Sequence, residues 1–347
     1  MRRVILCCLL CLGVTAAAAS EPNWASWAEE VRKHHPLAGS IYAVAWQTPE
    51  LFIGNVQTDL TAKGRLSRPL PPGGRGLALP AGIVLLGEVH DNPAHHQVRA
   101  WLIENSAKTR DPGRLAIVFE QIRADQEAAL DQFRILAEAG SNSATVDDLF
   151  RLLEWDKSGW PPAQVYRPLF EATIAAKWPI YAGDPPGGRV RAVARSGFSV
   201  VPSEERARLR LLSPMRQALL DALRKDLVDG HCGVLAADAI DGMTMAQRYR
   251  DAHLADGVLA AADRHGHAIL IAGNGHVRSD RGVPWYLRWR GKASVRSYLL
   301  VEVEEGKTDP EAYVPRDPEG KPAADLLIFT PQHPRPDPCE AMRKSKR

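Results

Sequence analysis

Acidic and imidazole side chains follow several short apolar runs in this sequence, at positions where strands of a sheet would end. Glu88 and His90 follow one such run, and Glu120 follows a second. His276 stands in a Gly-Asn-Gly-His stretch after another run. An extended backbone points alternate side chains the same way, so Glu88 and His90 share one face. Ligands of open α/β sheets bind beyond the carboxyl ends of the strands, and we therefore expect these four side chains to converge on one rim.

Two kinds of chemistry fit such a rim. Two imidazoles with one or two carboxylates are the ligands of a catalytic zinc or a similar divalent ion. This predicts Glu88, His90 and His276 as metal ligands, with Glu120 as the general base of a hydrolase. The alternative is structural, since the carboxylates could belong to ion pairs that need no ligand, formed with nearby charged residues: Arg250, Asp251, Arg278 and Asp280. For His95 and His96, in the first turn of a predicted helix, the structural role is favoured.

The elements that must position these residues alternate between strands and helices. Apolar runs predict strands over 81–86, 115–119, 179–182 and 267–272. Capping residues and helical spacing predict helices over 92–107, 125–139 and 243–265. This alternation predicts an α/β fold with a parallel-sheet core flanked by helices.

The order of elements also predicts how the chain is divided. Residues 20–140 and 241–330 supply the two parts of the α/β domain. Residues 141–240 have proline-interrupted helical patterns with little strand signal, and predict a smaller inserted helical subdomain. The proline-rich end with its basic terminus, 331–347, predicts a mobile tail.

The first residues have the pattern of a secretory signal peptide. Two arginines precede the apolar run Val4–Val14, and the small residues Ala16–Ser20 follow it. The run is too short to span a bilayer as a helix. We therefore expect a cleaved signal over residues 1–19 and a periplasmic or secreted protein.

The cysteines fit this compartment. Those inside the predicted signal are each preceded by Leu or Cys, where a bacterial lipoprotein signal has a small residue, so lipid anchoring is not favoured. Cys232 and Cys339 lie outside it. An oxidising compartment would let them pair, and two unpaired thiols fit the sequence equally well.

Charge and missing motifs exclude several classes of protein. Lys and Arg total 44 against 41 Asp and Glu, so there is no electrostatic case for a nucleic-acid partner. The sequence has no GxSxG, P-loop, HExxH or dinucleotide-binding glycine motif, which removes the commonest hydrolase and nucleotide-binding functions. It also has no CxxCH, so c-type haem attachment is excluded.

Several motifs together resemble the ChaN-like haem-binding uptake family of the Tiki superfamily. They occur in order over about residues 35–290: LLGEVHDNPAHHQVRAWLIE, IVFEQ, the WPPAQVYRPLFEA stretch, HCG, MAQRYRDAHLA and LIAGNGHVRSDRGVPWYL. The resemblance matches Glu88, His90, Glu120 and His276 to the superfamily's site. Tyr166 and Arg167 match the family's Tyr-Arg-Pro element. Gly183-Asp184-Pro185-Pro186 departs from the Asn-x-Pro-Arg expected after the third strand, which leaves roles borrowed from that loop unsupported.

The resemblance implies an exported protein that binds haem in haem or iron uptake, rather than an enzyme. Haem is the first-choice cofactor, with a Tyr or His as axial iron ligand and an Arg at the propionates; the predicted cofactor-binding residues are Tyr166, Arg167, His90 and His276. The implied partner is a haem-transport component of the outer membrane or periplasm, and a homodimer is left open.

Two alternatives remain at this point. Relatives in the wider superfamily are metal-dependent proteases or esterase-like enzymes, so a metal-dependent hydrolase with zinc is the second function. Tyr166 could also be core, packed with Trp155 and Trp160.

Overall fold

A computed structural model describes residues 24–44, 52–53, 56–57, 65–67, 79–111, 113–140, 144–292 and 295–344. The predicted signal peptide, 1–19, lies outside these ranges. Within them, no helix combines the length and apolar character needed to cross a membrane.

The described strands form one large sheet and one small one. The strands are β1 (Ile41–Ala43), β2 (Phe52–Ile53), β3 (Val56–Gln57), β4 (Arg65–Ser67), β5 (Ile83–Leu86), β6 (Ala116–Arg123), β7 (Ile180–Asp184), β8 (Ala268–Ile271), β9 (Val295–Glu302) and β10 (Leu326–Thr330). The large sheet has the order β4-β1-β10-β9-β5-β8-β6-β7, and β2 pairs with β3. From β10 to β7 all neighbours are parallel, so their carboxyl ends lie at one edge, called the carboxyl edge below.

Helices cover both faces of this sheet. The helices are α1 (Trp24–Arg32), α2 (Pro93–Ala107), α3 (Glu127–Glu138), α4 (Val146–Leu152), α5 (Ala163–Ala175), α6 (Gly187–Ser196), α7 (Ser203–Arg208), α8 (Gln217–Gly230), α9 (Ala237–His265), α10 (Asn274–Val277), α11 (Val283–Trp289) and α12 (Pro338–Lys344). The predicted α/β class, a parallel-sheet core flanked by helices, is confirmed.

The alternation of side chains along the central strands divides the core into two layers. Ile83 and Leu85 of β5 pack in one layer with residues of α6, α8, α9 and α11. Val84 and Leu86 pack in the other with residues of α2, α3, α4 and α5. All four side chains are at most 5 % exposed. A strand buried on both faces requires the continuous apolar run that the sequence shows there.

Local sequence signals correctly predicted where two helices begin or end. Asn92 caps α2, and its side chain accepts a hydrogen bond from the N–H of Ala94 (2.8 Å). α9 ends at His265, and Gly266 follows it with φ 86°, a backbone conformation that favours glycine. The glycines of the Gly-Asn-Gly-His stretch favour a tight turn, and the structure differs there. Residues 274–277 form the one-turn helix α10 instead.

Two regions differ in detail from their predicted character. Residues 141–240 are largely helical, yet they also contain β7, which is the edge strand of the large sheet. The tail predicted to be mobile includes α12 and makes specific contacts. Cys339 in α12 forms a disulfide with Cys232, which settles the pairing that the sequence left open.

Candidate functional site

The loop between β5 and α2 carries the first pair of predicted site residues. Glu88 is only 2 % exposed, and its Oε1 accepts a hydrogen bond from Nδ1 of His90 (2.5 Å). The His90 side chain is 37 % exposed, and its ring lies 4.9 Å from the ring of Trp160. The two side chains therefore share one face, with the carboxylate inside and the imidazole at the surface.

Glu88 is the centre of a buried polar cluster. Its Oε1 also accepts hydrogen bonds from the Tyr166 hydroxyl (2.7 Å) and from Nε2 of Gln121 (2.9 Å). Its Oε2 pairs with the Arg99 guanidinium, and both side chains are fully buried. Burial alone would raise the pKa of Glu88, but Arg99 and the neighbouring imidazoles hold it well below its usual value. Glu88 is thus ionised across the physiological pH range.

The two histidines at the start of α2 have structural roles. His95 accepts the N–H of Val89 (2.8 Å) and contacts Thr330 through its other nitrogen, while His96 donates to the carbonyl of His90 (2.9 Å). Burial lowers the pKa of His95 to about 3 and that of His96 to about 4. Both are neutral, and both hold the backbone of the loop that carries His90.

A second cluster forms around Glu120, with its carboxylate bound from three sides. Oε1 accepts from Nη2 of Arg250 (2.8 Å) and lies 3.2 Å from Nε2 of His276. Oε2 accepts the N–H of Gly273 (2.7 Å). Glu120 was expected just after a strand, but it lies inside β6, where the pairing with β7 shifts register between Phe119 and Arg123. The shift places the carboxylate at the carboxyl edge without ending the strand.

His276 lies between two buried carboxylates. Its Nδ1 donates to Oδ1 of Asp251 (2.7 Å), and its Nε2 faces Glu120. Burial alone would lower the pKa of His276, but Glu120 and Asp251 raise it to about 10. The His276, Arg250 and His90 side chains in turn hold the pKa of Glu120 well below its usual value against the effect of burial. His276 is therefore an imidazolium at neutral pH.

The two clusters meet at Gly273. A Cβ built on this glycine would lie 2.9 Å from Nε2 of His90 and 3.7 Å from Oε2 of Glu120. A side chain at this position would clash with the imidazole, so glycine permits the close approach of the two clusters. Glu88, His90, Glu120 and His276 thus lie at one edge, as two hydrogen-bonded groups on either side of Gly273.

The described side chains do not form the metal site predicted from Glu88, His90 and His276. No group of three or more His, Cys, Asp or Glu residues in the described ranges could hold a metal ion. The physical reason lies in the hydrogen bonds: the Glu88 oxygens are already paired, and both nitrogens of His276 face carboxylates. Glu120, expected as a general base, is an ionised partner of two cations in this arrangement.

The neighbours Tyr166 and Arg167 lie in different surroundings, Tyr166 in the core and Arg167 at the surface. Tyr166 has no exposed surface and packs against Trp155, at 5.0 Å between rings, as in the core alternative. Burial and the nearby Glu88 carboxylate raise the pKa of Tyr166 far above its usual value, so its hydroxyl is a neutral donor. Arg167 pairs with Asp147 and Glu171 at the surface. Its predicted role at haem propionates stays a prediction.

Sequence reasoning missed two residues that complete the first cluster: Arg99 neutralises Glu88, and Gln121 donates to it. Asp251 was expected in an ion pair, and it holds His276. Arg99 had a usable signal, because residues spaced three and four apart share a helix face and Arg99 follows His95 and His96 at those spacings. Arg250 was expected in an ion pair, and it binds both Glu120 and Asp184.

Replacing Tyr166 by phenylalanine should lower the free energy of unfolding by about 1.5–3 kcal/mol, the usual contribution of a hydrogen bond to a charged group. The ring and its packing are kept, and only the bond to Glu88 is lost. Urea unfolding measures the change. Tyr181→Phe is the matched control, since the Tyr181 hydroxyl bonds the ring of His265, and about 0.5–1.5 kcal/mol is expected there. Equal losses in the two variants would contradict a charged Glu88.

One protein-family model matches more than half of this chain. The model of the family "Haem-binding uptake, Tiki superfamily, ChaN" matches residues 78–287. Among solved structures, a ChaN of Campylobacter jejuni with cofacially bound haem is similar, with a TM-score of 0.53, 17 % identity and coverage of 71 % of this chain and 86 % of that one. At that identity the likeness shows the fold.

Two further solved structures match with lower TM-scores. The type III effector HopBA1 has a TM-score of 0.37 and 12 % identity, covering 73 % of this chain and 88 % of that one. A Bacillus cereus protein has a TM-score of 0.32 and 13 % identity, covering 65 % and 66 %. No curated protein sequence matches this chain.

Proposed function

This chain belongs to the ChaN family of haem-binding uptake proteins in the Tiki superfamily, and from that premise we propose that it binds haem at the carboxyl edge of its sheet, with Nε2 of His90 as the iron ligand. Among the predicted iron ligands Tyr166, His90 and His276, His90 alone combines an exposed imidazole with a nitrogen that has no carboxylate partner. That observation carries the proposal.

The hydrogen bond to Glu88 prepares His90 for this role. Nδ1 donates to the carboxylate, so the proton is held on that nitrogen and the lone pair of Nε2 is free. A carboxylate behind a metal-bound histidine fixes the ring and makes the ligand more basic. When bound, haem supplies an iron centre that takes an axial imidazole.

The surroundings of His90 fit a flat apolar ligand. The partly buried Trp160 ring stands beside the imidazole, and aromatic faces pack well against planar ligands. Gly273 has no side chain that could crowd Nε2. Tyr166 and Arg99 stabilise Glu88 from the buried side, and His96 holds the backbone carbonyl of His90.

The electrostatics of the loop predict how binding depends on pH. Although burial opposes it, Glu88 and Glu120 raise the pKa of His90 above its usual value. A protonated Nε2 has no lone pair for iron, so affinity should fall as pH falls through the raised pKa of His90.

A haem titration followed by the Soret absorption tests the proposal. The wild-type protein should bind, and His90→Ala should weaken binding by more than about 100-fold, because replacing even the partners of metal ligands typically changes metal affinity by about 10- to 100-fold. Tyr166→Phe should bind nearly as well as wild type once the folded fraction is equal. The reverse order would make Tyr166 the ligand.

A pair of glycine variants tests the position of the site without touching the ligand. Gly273→Ala places a methyl group 2.9 Å from Nε2 of His90, while nothing lies within 4 Å of a Cβ at Gly275. Gly273 has φ −59° and ψ 151°, which alanine also adopts. Gly273→Ala should weaken haem binding and Gly275→Ala should not. Bound divalent metal in a wild-type protein that gives no Soret band would favour the hydrolase instead.

Export is part of the same proposal. The Cys232–Cys339 disulfide supports an oxidising compartment, and the pattern of residues 1–19 supports a cleaved signal peptide. A periplasmic or secreted location is consistent with haem or iron uptake.

A further inference from the structure

The segment 331–344, called the strap below, leaves β10 at the carboxyl edge and contacts the loop that carries His90. The carbonyl of Pro331 accepts a hydrogen bond from Nδ2 of Asn92 (3.0 Å). The N–H of His333 donates to Oε1 of Glu302, at the end of β9 (3.2 Å). In the sheet, β9 lies between β10 and β5. Through these two hydrogen bonds the strap crosses the end of β9 and reaches the His90 loop.

Arg335 fastens the strap to this loop by a two-sided ion pair. Its Nε and Nη2 donate to the two oxygens of Asp91 (2.7 and 2.8 Å), and Nη1 and Nη2 donate to Glu302 (2.8 and 2.6 Å). Asp91 is the residue after His90. The Arg335 side chain is 24 % exposed and that of Glu302 14 %, so water screens these ion pairs only in part, and their two-sided geometry makes them stronger than isolated surface pairs. Together with the hydrogen bonds of Pro331 and His333 they are the non-covalent fastening of the strap.

The disulfide holds the other end of the strap. Cys339 is bonded to Cys232 in the connection between α8 and α9. Cys339 is four positions after Arg335, a path of at most about 14 Å. The strap therefore links the ends of β5 and β9 to the connection between α8 and α9. The helix α9 carries Arg250 and Asp251. The bond keeps Arg335 near Asp91 at a high effective concentration.

We propose that the strap is a redox-controlled cover on the His90 loop, closed when Cys232 and Cys339 are bonded and open when they are reduced. A dithiol reductant donates two electrons and two protons, the S–S bond breaks to give two thiols, and the reductant becomes a disulfide. Arg335 then leaves Asp91 in a larger fraction of molecules, because the strap has lost its covalent anchor and keeps only its ion pairs and the hydrogen bonds of Pro331 and His333. The effect on haem exchange rests on the proposed function, whereas the opening itself does not.

Carbethoxylation of histidines by diethyl pyrocarbonate, followed by peptide mass spectrometry, tests the opening without haem. We compare wild type, the double variant Cys232→Ser/Cys339→Ser, and wild type reduced with dithiothreitol, alkylated and freed of reductant. His90 should react at least about 5-fold faster without the disulfide, the lower end of typical coupling between sites. Arg335→Gln with the disulfide intact should raise the rate less.

Other histidines in the same digest separate opening from unfolding. His34 is exposed after α1 and should react equally in all samples, and the buried His95 and His96 should stay protected. Equal rates at His90 with and without the disulfide would overturn the proposal, as would reaction of His95 and His96 in step with His90. If the strap opens but no sample binds haem, the proposed function fails and the cover stands.

Discussion

Replacing Arg99 by methionine is expected to lower the free energy of unfolding by about 3–5 kcal/mol, the usual result of removing one partner of a buried ion pair. Arg99 and Glu88 have no exposed side-chain surface, so Glu88 would keep its charge without its main counter-ion or take up a proton. Methionine preserves much of the apolar volume, so the loss reports charge rather than a cavity. Urea unfolding followed by circular dichroism measures it.

Two further variants show whether the charge is the cause. Arg167→Met removes an arginine of α5 that is 32 % exposed and pairs at the surface, and it should cost about 1 kcal/mol or less. Adding Glu88→Gln to Arg99→Met removes both charges and keeps a carbonyl oxygen that can accept from Tyr166 and Gln121, so the double variant should regain stability relative to Arg99→Met alone. A double variant less stable than Arg99→Met would contradict the account of Glu88 as a buried, ionised carboxylate.

Replacing His276 by leucine is expected to cost about 3–5 kcal/mol at pH 6, because Glu120 and Asp251 would lose the cation between them. The loss should depend on pH. The folded-state pKa of His276 is about 10, above the unfolded value of about 6.5. The stabilisation is therefore complete below about pH 6.5 and is lost as pH rises toward 10.

Urea unfolding of wild type and His276→Leu at pH 6, 8 and 10 measures this dependence. The difference between the two proteins should shrink as pH rises. His34→Leu is the control, since a surface substitution changes stability by only about 0.5 kcal/mol at any of these pH values. A difference that grows with pH would show that His276 is neutral in the folded protein.

Elements fixed by local interactions were predictable from the sequence. The helix α2 and its cap need only Asn92 and the following proline, and the continuous apolar run of β5 indicates burial on both faces. Glu88 and His90 stand two positions apart just after β5 and were expected on one face, and their side chains are hydrogen-bonded to each other. These features depend on neighbours a few residues away in the chain.

The partners of the site residues were less predictable because they come from distant parts of the chain. Glu88 is neutralised by Arg99 and bonded by Tyr166, a contact that depends on how α5 packs on α2. The position of Glu120 depends on a register shift against β7. Neither packing nor register can be read from spacing, so the ligand set of a metal site looked complete in the sequence while its members had other partners in the fold.

The strand order has a consequence for the way this chain is made. β8 lies between β5 and β6, although it comes later in the chain than either, after residue 267. The centre of the sheet therefore cannot close until about three quarters of the chain has left the ribosome, and the pairings have high contact order, which slows folding. Until β8 is made, the edges of β5 and β6 that it will join lack a partner, and unpaired strand edges favour aggregation.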